Sequence, residues 1–349
     1  MSDEVLTFIE GGVGRIRLNR PKAIHALTRE MCDVMIAALV AWSTDDAVDL
    51  VMLDHAEGRG FCAGGDIRLI ADSAAGDGAA ARAFFRSEYQ LNHLLFTYAK
   101  PTVAFMDGIT MGGGVGISQP CRYRIVTERT IYAMPETGIG LFTDVGGGRY
   151  LSRMPGRTGQ YVGLTGARLN GAECLTLSLG SHHVPSDTVE ALKAAIVANP
   201  KAIDAELRSA VAVLPVAPIL DRRNDIDRLF ASDRLEDILS ALAKDGGEWA
   251  RATLNTLQAK SPMSCKIVLG HLARSAAIED FAEEMALEYT IVAHILEQPD
   301  IVEGVRALIV DKDNAPKWNP PSAAAVSDAS IDAIFRPLSG DQQWTPLIA

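Results

Sequence analysis

Carboxylates set among glycines are the residues of this chain best suited to chemistry. Glu136 and Asp144 stand in Met134-Pro135-Glu136-Thr137-Gly138-Ile139-Gly140-Leu141-Phe142-Thr143-Asp144, an apolar, glycine-bearing stretch. There a carboxylate can act as base, acid, nucleophile or orienting group, its proton affinity set by burial and partners. Spacing leaves two plainer roles open, a solvated loop charge for Glu136 and a helix N-cap for Asp144. Glu88 lies in one helical stripe with Phe84, Leu91 and Leu95. A carboxylate there must be paired, hydrogen-bonded or turned into a cavity, because an isolated buried charge is too costly. An ion pair with Arg82 or Arg86 is the structural alternative.

Three glycine-dense segments accompany these acids: Cys62-Ala63-Gly64-Gly65-Asp66, Met111-Gly112-Gly113-Gly114-Val115-Gly116 and Val145-Gly146-Gly147-Gly148. Each adjoins an apolar strand and leads toward a helix. Glycine lets a backbone N–H approach a ligand with no Cβ in the way, and two such groups converging on one oxygen make an oxyanion hole. Tight turns and close helix–strand packing explain any one segment equally well. None fits a nucleotide-phosphate loop.

The elements that must position these residues read as α/β. A hairpin, Val5–Ile9 and Val13–Leu18, is followed by an apolar helical stripe from Leu27 to Trp42 and a strand at Val48–Leu53. Further strands are expected at Thr102–Met106, Tyr123–Thr127 and Ile131–Ala133. Alternating strands and helices imply a layered sheet. After about residue 195 the segment punctuated by Pro200, Pro215 and Pro218 reads as a connection. Helices are then expected at Asp233–Lys244, Glu248–Lys260, Pro262–Ala276, Ile278–Leu296 and Ile301–Asp311. The expected division is a core over 1–195, a helical region over 196–320 and a loosely held Pro/Ala/Ser-rich tail over 321–349.

Composition narrows the classes. The chain has 349 residues, 48% hydrophobic, so a sizeable core is available. Its net charge of −11 argues against nucleic acid or an anionic membrane as main partner. Five scattered cysteines with no C-x-x-C pair, and an N-terminus without signal-peptide character, fit a reduced, cytoplasmic protein. No apolar run is long enough to span a membrane. The histidines, including His182-His183, show no metal-ligand spacing; that pair reads as an edge strand or loop, and Cys62 as a packed side chain.

The segments together resemble the crotonase, or enoyl-CoA hydratase/isomerase, superfamily, and most closely its 3-hydroxyisobutyryl-CoA hydrolase branch. The resemblance is carried by Leu18-Asn19-Arg20-Pro21-Lys22 with Ala26-Leu27, by Gly60 through Arg68, by Lys100-Pro101, by Asp107 through Gly116 and by Met134 through Gly148. Glu303-Gly304-Val305-Arg306-Ala307-Leu308 and Asp311 through Trp318 resemble the hydrolase branch specifically. It spans roughly Val5 to Pro320.

The resemblance implies a crotonase-like spiral of β-β-α units with a helical C-terminal region, and acyl-CoA thioester substrates. It maps the oxyanion donors onto the N–H groups of Gly65 and Gly113. The two carboxylates of hydratases match Gly116 and Glu136; Gly116 has no side chain, which disfavours hydration. The hydrolase branch has acids matching Asp144 and Glu88, so the resemblance implies Glu136 as principal catalytic carboxylate, Asp144 as its assistant, and Glu88 at the substrate hydroxyl. It often has Pro where Thr143 stands here. CoA binding is expected from Lys22, Ala26, Ala63, Gly64, Asp66 and Ile67, with Lys22 near the phosphates or merely solvated. The expected reaction is hydrolysis of a short 3-hydroxyacyl-CoA, as in valine breakdown, with no metal or redox cofactor and a possible homo-oligomer (trimer or hexamer). The competing expectations are an enoyl-CoA hydratase or isomerase and a non-catalytic CoA-binding protein.

Overall fold

Strands come in consecutive pairs that turn sharply from one sheet into another. The computed structural model describes residues 3–210 and 216–347. Its strands are β1 (Val5–Glu10), β2 (Val13–Leu18), β3 (Leu50–His55), β4 (Gly60–Cys62), β5 (Thr102–Met106), β6 (Ile109–Met111), β7 (Tyr123–Val126), β8 (Ile131–Ala133) and β9 (His182–His183). One sheet has the order β1-β2-β3-β5-β7-β9 and the other β4-β6-β8. Apart from the antiparallel β1–β2 hairpin, neighbours run parallel. Thus β3–β4, β5–β6 and β7–β8 each give one strand to each sheet. This is the expected spiral.

The helices of this half are α1 (Arg29–Ser43), α2 (Ile67–Ala74), α3 (Ala79–Phe96), α4 (Gly113–Ser118), α5 (Gly147–Ser152), α6 (Thr158–Thr165), α7 (Gly171–Thr176) and α8 (Val189–Ala198). Residues alternate between the two faces of a strand, and both faces of the larger sheet are covered. Val51, Leu53, Ala104 and Met106 face the main core. Leu50, Met52, Val103, Phe105 and Ile125 face a second cluster closed by Val189, Leu192 and Ile196 of α8. That double burial explains why these strands read as nearly continuous apolar runs.

The chain continues as α9 (Ile203–Ala210), α10 (Ile219–Leu229), α11 (Leu235–Asp245), α12 (Glu248–Gln258), α13 (Pro262–Ser275), α14 (Phe281–Ile295), α15 (Asp300–Val305) and α16 (Asp328–Ile334). The expected helices from Asp233 onward are present, except that the last one ends at Val305 and passes into a wider π turn, Arg306–Val310. Much of the expected connection after residue 195 is instead helical. Only Ile203 and Leu207 of α9 are buried, and only Ile219, Ile226 and Leu229 of α10, so the apolar stripe is too sparse to read. Pro200 opens a 3-10 turn and Pro218 precedes α10; Pro215 lies outside the described residues. No described helix is long and apolar enough to cross a membrane.

The tail also departs from expectation. Trp344 is buried, and its indole N–H donates to the Arg86 carbonyl at 3.3 Å. The Arg86 guanidinium donates to the carbonyls of Gln342 and Gln343, both at 3.0 Å. Val326 and Ile334 are buried too, so scattered apolar anchors dock a segment whose composition resembles a loose end, and Trp344 fixes its last stretch against the helix that carries Glu88. Trp344→Ala is expected to cost roughly 3 kcal/mol of docking. Limited proteolysis should then cut the tail while the rest of the chain stays resistant; an uncut tail would show that Trp344 does not hold it.

Candidate active site

The parallel order β4-β6-β8 brings three segments out of one sheet edge side by side. They are Ala63–Asp66 after β4, Gly112–Gly113 after β6 and Met134–Glu136 after β8. Backbone conformation then selects glycine at two points. Gly64 has φ +116° and Gly112 has φ +48°, values that L side chains rarely adopt. The two segments also approach closely, since a Cβ on Gly64 would lie 3.7 Å from the Gly113 nitrogen.

Between these segments lies a cavity of about 210 Å³ lined by Gly65, Gly113, Glu88, Glu136 and Asp144. All three candidate acids, and both candidate backbone donors, are brought together. Gly113 opens α4, where the first N–H groups have no partner within the helix. The Gly65 N–H meets no acceptor among the described residues. Ala63, Gly64 and Ile67 also line the cavity, and its apolar wall comes from Phe84, Ile139 and Leu141 together with Leu308 and Ile309 of the π turn. Arg68 donates to the Ile309 carbonyl at 3.0 Å, fastening that turn over the site.

The acids take none of the plainer roles. Glu88 is 2% exposed, Glu136 4% and Asp144 3%. Arg82 and Arg86 do not pair with Glu88; their guanidiniums bind the Asp77 carbonyl and the tail. Glu88 Oε1 and Glu136 Oε2 have no hydrogen-bond partner among the described residues. The side chain of Asp144 does not cap α5 but accepts from the Tyr89 hydroxyl at 2.8 Å. Glu88 Oε1 lies so close to Gly113 that a Cβ would collide with it, and a Cβ on Gly112 would stand 3.1 Å from Glu136 Oε1. Two acids therefore flank the same glycine turn.

Burial dominates their proton affinities. It pushes Glu136 well above the ordinary carboxylate range, and the charge of Asp144 adds to the effect. Burial does the same for Glu88, with Asp144 and Glu136 contributing. Asp144 is raised to about 7 by burial, held back by the Tyr89 hydrogen bond. Lys260 packs against the turn carrying Glu136, 3.3 Å from where a Gly138 Cβ would lie, and its charge favours ionised Glu136. Burial also raises the Cys62 thiol to about 12, in keeping with a packed side chain.

The expected CoA residues separate into two groups. Lys22 is exposed on the 3-10 turn Pro21–Ala23, and Lys22, Ala26 and Asp66 do not line the cavity. Asp66 instead ion-pairs with Arg20 at 2.7 Å and caps α2 through the Leu69 N–H. Arg20 also donates to the Ala26 carbonyl, and the Leu27 N–H to that of Gly64 at 2.8 Å, tying the two expected CoA segments together. His25 braces this loop, its Nδ1 accepting from the Arg20 N–H at 2.9 Å. Sequence reasoning expected CoA binding from the loop Arg20–Leu27 but gave Arg20 and His25 no role of their own, and it missed Tyr89 and Lys260. Tyr89 was visible only as an aromatic beside Glu88, which reads as core.

Gly116 stands where a hydratase carboxylate would be expected, and its surroundings leave no room for one. A Cβ there would lie 2.7 Å from Val145 Cβ and 2.8 Å from Asn92 Nδ2. Elsewhere, His271, Glu284 and Glu288 place one ligand-capable atom each within 4.8 Å of one another. Those atoms hydrogen-bond among themselves and to Ser275, Gly146 and Gly148.

Raised proton affinity has a stability consequence with a definite sign. For Glu88 the folded state favours the neutral acid, so its contribution is present below the unfolded value and is lost as pH rises through the folded one. Glu88→Gln has no such loss. Urea unfolding should find the variant gaining on wild type as the buffer moves from acid to alkaline; a gap that does not widen would contradict a neutralised Glu88.

Comparison with known proteins places this geometry. The enoyl-CoA hydratase/isomerase family profile matches residues 13–335. The mitochondrial 3-hydroxyisobutyryl-CoA hydrolase of Danio rerio is 39% identical, over 96% of this chain and 90% of that protein. The probable 3-hydroxyisobutyryl-CoA hydrolase 3 of Arabidopsis thaliana is 36% identical, over 99% and 94%. Among solved structures, a carnitinyl-CoA dehydratase from Mycobacterium thermoresistibile superposes with a TM-score of 0.94 at 40% identity, covering 99% of each chain. An enoyl-CoA hydratase from Rhodobacter sphaeroides gives 0.92 at 36% identity, covering 98% of this chain and 100% of that one. The chain belongs to the enoyl-CoA hydratase/isomerase family.

Proposed function

We propose that this protein hydrolyses the thioester of a short 3-hydroxyacyl-CoA, with 3-hydroxyisobutyryl-CoA as the preferred substrate and valine breakdown as the setting. The observation that carries this reading is the placement of Glu136 against Gly112 with its carboxylate buried and its Oε2 unpartnered. The thioester carbonyl oxygen would sit between the N–H groups of Gly65 and Gly113, which hold the charge that develops on it. Glu136 would either take a proton from a water whose oxygen attacks the carbonyl carbon, or attack that carbon itself to give a mixed anhydride that water then hydrolyses to the free acid and Glu136. Both routes break the C–S bond, release CoA as the thiol and need Glu136 ionised. Asp144, oriented by Tyr89, would place water or the 3-hydroxyl, and Glu88 would accept from the hydroxyl end. The apolar wall of Phe84, Leu308 and Ile309 suits a short branched chain. Lys22 and the Arg20–Asp66 strip would receive the nucleotide end. The chemistry assigned to these groups calls on no metal or redox cofactor.

The two solved relatives named above carry dehydratase and hydratase titles, whereas the curated relatives are named hydrolases. The surroundings of Gly116 favour hydrolysis. Adding water across a double bond would lack the second acid expected there, and Val145 and Asn92 fill its place.

Glu136→Gln keeps the side-chain shape and removes the ionisable group. Thiol release from 3-hydroxyisobutyryl-CoA should fall by on the order of a hundredfold or more, while CoA binding measured by calorimetry stays near wild type. Retained turnover would remove Glu136 from the mechanism. In Tyr89→Phe the hydrogen bond that lowers the Asp144 proton affinity is gone, so Asp144 ionises at higher pH. The acid limb of kcat/KM should therefore move upward in pH; an unmoved or lowered limb would show that ionised Asp144 does not govern it.

A further inference from the structure

Against α5 and the turn that leads into it, four polar side chains are buried together. Glu288 and Glu284 come from α14, His271 and Ser275 from α13, and all four are 0% exposed. His271 Nε2 lies 3.0 Å from Glu284 Oε1 and 3.5 Å from Glu288 Oε1. The Ser275 hydroxyl donates to Glu284 Oε1 at 2.6 Å. Glu288 accepts the Gly146 N–H at 2.9 Å and the Gly148 N–H at 3.4 Å. Any side chain on Gly148 would run into His271, Ser275 and Glu284. The cluster is therefore seated directly on the glycine turn.

That turn begins at Asp144. Val145 follows with φ +54°, a conformation that a β-branched residue holds only when its surroundings enforce it. The Gly147 N–H returns to the Asp144 carbonyl at 2.7 Å, while the N–H groups on either side of it go to Glu288. Those two bonds add to the Gly147–Asp144 bond and the packing of the buried Val145 side chain beside Gly116 in holding this conformation.

We propose that Glu288 is a positioning residue for Asp144: by gripping the Gly146 and Gly148 amides it holds the strained Val145 turn that aims the Asp144 carboxylate into the cavity. His271, 3.5 Å from Glu288 Oε1, links it to Glu284 and Ser275. The proposal rests on the reading of Asp144 as a working group in thioester hydrolysis, and a misplacement of about 1 Å there can cost on the order of a hundredfold in rate.

A double-mutant cycle separates this from a general loss of structure. Glu288→Gln keeps the shape but turns an amide donor toward one of the two N–H groups; Glu288→Asp keeps the charge but withdraws it by one methylene. Each variant is measured for thiol release from 3-hydroxyisobutyryl-CoA, alone and combined with Asp144→Asn, with CoA binding and thermal unfolding alongside. Whichever variant folds should lose about tenfold or more in kcat with KM changed by less than about threefold, and should add no further loss in the Asp144→Asn background. A full kcat, or the same loss in both backgrounds, would overturn the proposal while leaving the role of Asp144 intact. Wild-type turnover by Asp144→Asn itself would overturn the reading of Asp144 and the proposal with it.

Discussion

Three carboxylic acids enclosed in one small apolar cavity set the terms for the rest of this structure. Each is almost wholly removed from water, and the charge of Asp144 raises the proton affinity of both Glu136 and Glu88, with Glu136 adding to the effect on Glu88. Buried acids of like charge cannot all ionise cheaply, so the site is arranged around the few groups that let one of them do so. Tyr89 steadies Asp144, Lys260 lends charge to Glu136, and Gly65 and Gly113 line the same cavity. The arrangement is expensive in stability and suited to reaction: a carboxylate without a water shell is a stronger base or nucleophile once ionised.

The fold meets this demand by convergence at one sheet edge. Three parallel strands deliver two glycine turns and the Glu136 turn to one place, and α3 supplies Glu88 and Tyr89 from the side. The C-terminal half then covers what the spiral leaves open. Leu308 and Ile309 wall the cavity, Glu288 accepts from the turn that follows Asp144, and Trp344 docks the end of the chain along α3. Val145 links the two sides, since its side chain fills the space beside Gly116 while its backbone turns Asp144 inward.

Much of this was legible in the residues. The strands β3, β5, β7 and β8 are apolar runs with sharp breaks, whereas the three-residue β4 and β6 were not read as strands; Glu88 is conspicuous as an acid in an apolar stripe. What stayed hidden depends on partners distant in sequence. The Tyr89 hydroxyl meets a carboxylate 55 residues away, and nothing local marks it. Glu284 and Glu288 sit beside Met285 and Tyr289 in α14, where they read as the polar edge of an amphipathic helix. Their burial follows from α5 and α13 packing on that edge. The helix α9 was missed because two apolar residues suffice to close the far face of the sheet. The tail was misread because a few widely spaced buried residues, Val326, Ile334 and Trp344, outweigh the composition around them.

The central claim is that these acids and amides break a thioester and do not hydrate a double bond. The most direct measurement runs wild-type protein on 3-hydroxyisobutyryl-CoA and on crotonyl-CoA in parallel, following free thiol in one and loss of the enoyl absorbance in the other. The account predicts rapid thiol release with negligible hydration. Efficient hydration of crotonyl-CoA without thiol release would contradict it, and would mean that Asp144 or Glu88 replaces the acid absent at Gly116.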